Sequence, residues 1–477
     1  MFGLEKLFQK KRINMEELAK LLKTDRKTLE IMEENYRKNI MKNDTETDNL
    51  FEISAKTAIE KNKACAERII SDSCDCEDIV HRIVSSLLSK TTVFSYNRTK
   101  TEKALALTNF PCAKDVDMEE ILSIPPSLRP QLTGERMCVD ITGDMSYVVL
   151  MDYFQKFMTE PNEGKAKEYY YRFRQGLDIL DLDEITYQMI QRNPNSIGYW
   201  LPKIIPAVEN EGFFKIPNTK IISVPLPLLQ LTRKPYSELS PTTLSIVDEF
   251  CKQAFGLEDD GDYFIKTGTY SSKFDFRNAH VVGKDEVRTL GEYLLYIHFQ
   301  ALSMAHTDLS GRNQPAIFGV STTTEWCVRE FIKDEDDALT IYNGLPLHPE
   351  FRVFVDFDTK EILGVHNYWD EDKVLPHLQK QVASDSSGKN LHDCLTFSSE
   401  TSRLKEEYKK YKDEVARHVF AFIQNCPELY GQWSVDIMKN GEDFWLIDMA
   451  IAKDSTYYQQ AVPKELRRPT KENWLPI

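Results

Sequence analysis

At 477 residues the chain is longer than one ordinary domain, and two or three units are expected. Hydrophobic residues at 41% and charged residues at 28% fit a globular protein with a sizeable core and exclude extended disorder. A formal net charge of -15 works against generic attraction to a nucleic-acid backbone or an anionic membrane surface, although local basic patches stay compatible with it.

The nine cysteines, an odd number scattered along the chain, do not look like a disulfide framework and suit a reducing cytoplasm. The start, Met1-Phe2-Gly3-Leu4-Glu5-Lys6, leads into charged residues instead of an apolar signal core. No run approaches the about 18 apolar residues of a membrane span, so neither export nor membrane insertion is expected.

Residues 1–125 read as a mainly helical N-terminal region. Met15, Leu18, Leu21, Leu22 and later Ile69, Ile70, Ile79, Ile83, Leu87 and Leu88 recur there at helical spacing among lysines and glutamates. Asn43 to Asp48 reads as a loop. Glu16 to Leu29 resembles the helix-turn-helix of DNA-binding repressors, but two short helices in an acidic chain explain it more simply, and nucleic acid is not the expected partner. Cys74-Asp75-Cys76 with His81 lacks a second pair at zinc spacing. Pro125, Pro126 and Pro130 end this region.

Residues 126–196 form an α+β lead-in or linker, with a strand-like Tyr147 to Leu150 and a helical stretch from Glu168 to Met189. From about residue 197 to 477 the texture changes. Short apolar strands, Ile221 to Val224, Tyr263 to Ile265, Trp326 to Val328, Phe351 to Phe357 and Ile362 to Val365, alternate with helices such as Pro241 to Ala254 and Leu404 to Ile423. The fold class expected is α+β.

Several of these strands carry charges. Tyr263-Phe264-Ile265-Lys266 runs into Thr267-Gly268-Thr269-Tyr270-Ser271-Ser272-Lys273, a small-residue loop between two lysines that can turn N–H groups and ammonium groups toward phosphate, without the Walker A order. In Glu325 to Ile332, strand alternation sends Arg329 and Glu330 to opposite faces, and the segment can also serve as a hinge along an adenine. Around Arg352, Glu350, Phe354 and Asp356 share its face, while Phe351, Val353, Val355 and Phe357 take the other. An arginine there either grips phosphate bidentately or pairs with Glu350 or Asp356. Trp433 to Met438 and Phe444 to Asp448 read as a hairpin. A two-residue Asn440-Gly441 turn sets Asp436 against Trp445, and a three-residue loop at 441–443 sets it against Asp448. The second register is preferred, because two facing carboxylates call for a cation such as Mg2+ between them.

Taken in order, Tyr263 to Lys266, Val328 to Phe331, Glu350 to Phe354, Asp436 and Trp445-Leu446-Ile447-Asp448 resemble the ATP-grasp superfamily over roughly residues 197–477. The closest branch uses an arginine and two lysines and is related to the eukaryotic assembly chaperone of translation initiation factor two. The resemblance implies a two-lobed nucleotide site. Lys266 and Lys273 would contact phosphates, with Arg329, Glu330, Phe331 and Ile332 near the adenine. Arg352 would lie on the γ-phosphate, Arg352 and Lys273 would be catalytic, and Asp436 and Asp448 would hold Mg2+. Where the family follows the last acid with Phe-Asn, this chain has Met449-Ala450, so Asp454 or water is expected to take the missing asparagine's place.

The leading expectation is an ATP- and Mg2+-dependent carboxylate–amine (or thiol) ligase acting through an acyl phosphate, with small-molecule or peptide substrates and a protein partner on the N-terminal helices. The alternative is an ATP-binding assembly chaperone or adaptor without ligation; a DNA-binding regulator comes third. Arg352→Ala and Asp448→Asn are expected to abolish nucleotide binding while leaving the fold intact.

Overall fold

Period-two apolar alternation and capped amphipathic segments build the fold. The computed structural model describes residues 76–99, 190–232, 236–308, 322–384 and 389–468, with scattered positions between 116 and 188 and at 234. In chain order its strands are β1 (Val93–Tyr96), β2 (Phe214–Lys215), β3 (Thr219–Ser223), β4 (Asp262–Thr267), β5 (His280–Val282), β6 (Glu325–Glu330), β7 (Thr340–Ile341), β8 (Leu345–Pro346), β9 (Glu350–Asp356), β10 (Glu361–Asn367), β11 (Gln432–Asn440) and β12 (Asp443–Ile451). The longer helices are α1 (Cys76–Ser89), α2 (Ile197–Glu211), α3 (Pro241–Phe255), α4 (Leu290–Asp308), α5 (Glu371–Ser384) and α6 (Lys389–Gln424). The architecture is mixed helix and sheet.

Two five-stranded sheets carry it. The first runs β1-β3-β6-β4-β5, antiparallel throughout; the second runs β10-β9-β11-β12-β2, with only β2 parallel to its neighbour. One face of the first sheet, with Ile222, Ile265, Trp326 and Val328, packs on α1, α3 and α4. Its other face contributes Ile221 and Cys327 to a second core shared with α2, α6 and the inner face of the second sheet, where Phe351, Val353, Val355, Val435, Ile437 and Leu446 lie. The first sheet is thus covered on both sides. A smaller core under the β7–β8 hairpin joins α5 to the N-terminal half of α6 through Trp369, Leu378, Phe397 and Leu404.

Local chemistry explains the best-read element. Ser240 accepts a hydrogen bond from the Thr243 N–H, Pro241 opens the first turn of α3, and Gly256 at φ 50° closes it. By contrast, α6 starts at Lys389, fifteen residues before the expected Leu404, because its first turns are polar around the buried Phe397. The segment 76–96, expected within a helical N-terminal region, is built into the body of the fold instead. Helix α1 lies in the first core, and β1 is an edge strand paired with β3 through Val93 and Ile222. The helix-turn-helix-like stretch, the 43–48 loop and the Tyr147 to Leu150 strand lie outside the described residues. Among the described residues no helix is long and apolar enough to cross a membrane.

Helices α3 and α4 meet at Gly291, where an added Cβ would stand 2.6 Å from the Val247 carbonyl oxygen. A backbone neighbour cannot swing aside. Gly291→Ala is therefore expected to lower the unfolding free energy by about 1–3 kcal/mol, measured by urea denaturation.

Candidate functional site

The site lies where one face of β4 and β6 looks onto the outer face of β9, β11 and β12. Alternation decides which side chains arrive there. Ile265 and Val328 pair and enter the first core, so Lys266 and Cys327, paired next to them, point to the opposite side. Lys266 is 2% exposed and places its Nζ 3.0 Å from Asp448 Oδ2. Arg329 is buried on the same face, donating from Nε to Thr219 Oγ1 at 3.1 Å and from Nη1 to the Ile447 carbonyl at 2.5 Å. Its Nη2 is buried without an acceptor. Burial pulls the Arg329 guanidinium below its ordinary value, with Cys327 and Asp448 opposing.

On the second sheet, Phe351, Val353 and Val355 enter the core and Arg352 faces out, as the alternation predicts. Asp436 lies beside Arg352 and accepts two hydrogen bonds from it, 2.8 Å from Nε and 2.6 Å from Nη2. Arg352 Nη1 donates to the Thr456 carbonyl at 3.2 Å. Burial works against the Arg352 charge, yet the attraction and hydrogen bonds of Asp436 win and hold its proton more firmly than usual. The sequence reading offers phosphate or a pair with Glu350 or Asp356; the arginine instead pairs with Asp436 on the neighbouring strand.

Asp436 stands directly opposite Asp448, the preferred register, but by an unexpected route. The hairpin turns through Gly441-Glu442, pairing Asn440 with Asp443, and Ile437 pairs with Leu446. Ile447 is then an extra residue, a β-bulge, and it moves Asp448 from the inner face to the outer one. The same bulge turns the Ile447 carbonyl toward Arg329. Gly441 sits at φ 57°, a left-handed conformation that glycine takes without steric cost.

The loop after β4 differs from its sequence reading. The N–H groups of Thr267, Gly268, Thr269 and Tyr270 are taken by Tyr270 O, Glu325 O and Thr267 Oγ1, so the loop offers lysine charge and not a row of free amides. Lys273 makes no ion pair or hydrogen bond among the described residues; its Nζ lies 3.6 Å over the Tyr368 ring and 5.9 Å from that of Trp369. Burial lowers its pKa, opposed by Glu350 and reinforced by Arg352. Of the expected hinge, Glu330 is held by Arg98 at 2.5 Å and gives its N–H to Asn218, while Phe331 gives its N–H to Asp262 and stacks on His280 at 3.8 Å. Ile332 is partly exposed.

Two further carboxyls join the site: Glu325, which the sequence reading places only in a strand, and Glu350, which it places on the Arg352 face. Glu325 is pushed up to about 7 by burial, against the Gly198 N–H that it accepts at 2.8 Å and against the charge of Lys266. Glu350, on the Arg352 face, is also pushed up to about 7 by burial, opposed first by Lys273. Only the contacts across the fold reveal their burial and their proximity to Lys266 and Lys273. Carboxylate oxygens suit a hard divalent ion in kind. In number, Asp436 and Asp448 supply two, both already facing cations, and no group of three His, Cys, Asp or Glu side chains fit for a metal occurs among the described residues. Asp454 does not join them; it is exposed and accepts from Asn195 Nδ2 at 3.0 Å.

No family model and no curated protein matches this sequence. Among solved structures, the chain is similar to C-terminally truncated Cdc123 from Schizosaccharomyces pombe at 12% identity, covering 61% of this chain and 97% of that one, with a TM-score of 0.33. It is also similar to Cdc123 from Schizosaccharomyces pombe at 12% identity over 57% and 87% of the two chains, with a TM-score of 0.30.

Because Arg352 and Asp436 are both only 11% exposed, losing either partner strands a buried charge. Arg352→Ala is thus not the fold-neutral change anticipated from sequence. Asp436→Ala is expected to cost about 3–5 kcal/mol in chemical denaturation, and Asp448→Asn, which removes the charge facing the buried Lys266, is expected to lower the midpoint as well, by less because Asp448 itself is 37% exposed.

The raised carboxyls bind protons in the fold that the unfolded chain releases above about 4.5. Their contribution to stability is complete below that value and is lost as pH rises through about 7. Denaturation between about pH 5 and about pH 7.5 should show this decline, and Glu325→Gln should reduce it.

Proposed function

We propose that the cleft between the two sheets binds ATP with a divalent cation, and that the protein works as an ATP-binding assembly chaperone or adaptor. The observation that carries the reading is the convergence of Lys266, Lys273, Arg329 and Arg352 on the opposed pair Asp436 and Asp448. Lysine supplies a point charge and arginine a planar fork, the two donor types that hold polyphosphate. Lys273 without an ion pair and the free Nη2 of Arg329 are donors available to a ligand.

Mg2+ would be held by Asp436 and Asp448 with phosphate and water oxygens completing its shell, and it would supply positive charge to the β- and γ-phosphate oxygens. In the structure these two acids already face Arg352 and Lys266. Ligand binding would then require an exchange of partners, in which Lys266 and Arg352 would serve phosphate and Asp436 and Asp448 would hold the metal. Neither half is favourable alone, since each leaves like charges facing one another.

The sequence resemblance reaches both ligases and an assembly chaperone. Met449-Ala450 in place of Phe-Asn weakens the ligase side, because two acids with no third protein ligand serve nucleotide binding better than phosphoryl transfer. A protein partner on the N-terminal region belongs to this reading, as does a cytoplasmic setting.

Calorimetry with a nonhydrolysable ATP analogue tests it. Binding is expected with Mg2+ and is expected to be much weaker without it. Lys273→Ala, which breaks no ion pair, should weaken binding about 10- to 100-fold, the worth of a hydrogen bond to a charged group. No binding by the parent would sink the reading, and ADP release stimulated by added amines or carboxylates would restore the ligase.

A further inference from the structure

Lys273 occupies an unusual position for a phosphate ligand. Its backbone is fixed on both sides: Ser272, buried at φ 49°, donates from Oγ to Gln300 at 2.8 Å, and Asp275 is gripped by Asn278 and Asn343 at 2.8 Å each. The Lys273 side chain itself makes no ion pair or hydrogen bond among the described residues. It reaches across to the other sheet and rests on Tyr368, whose own backbone is pinned by the Glu350 carbonyl at 3.0 Å and by the Tyr457 hydroxyl at 3.1 Å. Arg352 approaches the same ring at 4.9 Å.

We propose that Tyr368 is an internal competitor for the ATP site, holding the Lys273 ammonium on its ring face so that an arriving triphosphate must draw the lysine away. This rests on the nucleotide reading of the cleft and adds a brake to it. An ammonium facing an aromatic ring in a partly desolvated cleft is attracted by the ring quadrupole, and Glu350 adds attraction from the same side. Phosphate offers Lys273 a stronger partner, but the free energy of the parked state is subtracted from the binding free energy. Tyr368 is therefore a positioning residue that acts through Lys273, with no need to touch the nucleotide.

The test is a double-mutant cycle in the full-length protein, read by calorimetry with the Mg2+ complex of a nonhydrolysable ATP analogue. Tyr368→Leu should bind about 5- to 30-fold more tightly than the parent, the range a desolvated cation–π contact spans, and Tyr368→Phe should bind like the parent. In a Lys273→Ala background Tyr368→Leu should have no effect, a result that a general loosening of the cleft would not give. Should Tyr368→Leu fold poorly, fluorinated phenylalanines at position 368 keep the shape while weakening the ring face, and affinity should rise with fluorination. Unchanged or weaker binding by the leucine and fluorinated variants, or tightening that persists without Lys273, overturns the proposal while leaving the ATP site standing. If no variant and no parent binds, the ATP site itself fails and the brake with it.

Discussion

One extra residue in a hairpin organises the site. Without the bulge at Ile447, strict alternation would carry Asp448 into the apolar face shared by Leu446, Met449 and Ile451. With it, Asp448 meets Asp436 on the outer face and receives Lys266 from the other sheet, while the displaced Ile447 carbonyl receives Arg329. Both links between β4–β6 and β12 pass through this point. A carboxylate and a carbonyl, turned outward by a local irregularity, tie the two sheets together on their polar side as the core around Phe351 and Val435 ties them on the apolar side.

The charges show how a polar cleft between two sheets is compensated within the fold. An isolated buried guanidinium or ammonium is costly, and each is compensated differently. Arg352 has a bidentate acid, Lys266 a single carboxylate oxygen, Arg329 a carbonyl and a hydroxyl, and Lys273 an aromatic face. Glu325 and Glu350 are relieved by holding on to protons. Each buried charge on this face is thus met by a different kind of partner contributed from another element of the fold.

Some of this was legible along the chain. The face assignments of β9 and the separation of Arg329 from Glu330 followed from the two-residue period of a strand, and the span Pro241 to Ala254 came within a residue of α3. The opposition of Asp436 and Asp448 was anticipated on electrostatic grounds, yet the three-residue loop imagined for it was wrong. A bulge has no distinct residue signature, and the backbone accommodated it next to a two-residue turn. Glu350 was placed on the Arg352 face but not near Lys273, and Glu325 and Tyr368 could not be singled out, since an acid or tyrosine beside apolar residues reads the same whether it faces water or a lysine from 95 residues away, as Tyr368 does.

The sequence by itself determined which residues share a face along a regular strand such as β9, because that depends on neighbours a few positions apart. It also supplied the charged residue types from which a nucleotide site can be made. Tertiary structure alone decided that α1 and β1 belong to the body of the fold, that Arg352 is spoken for by Asp436, and that Lys273 rests on an aromatic ring. The reason is physical: burial and charge pairing act through space, and only the packing of the two sheets brings those partners within reach of one another.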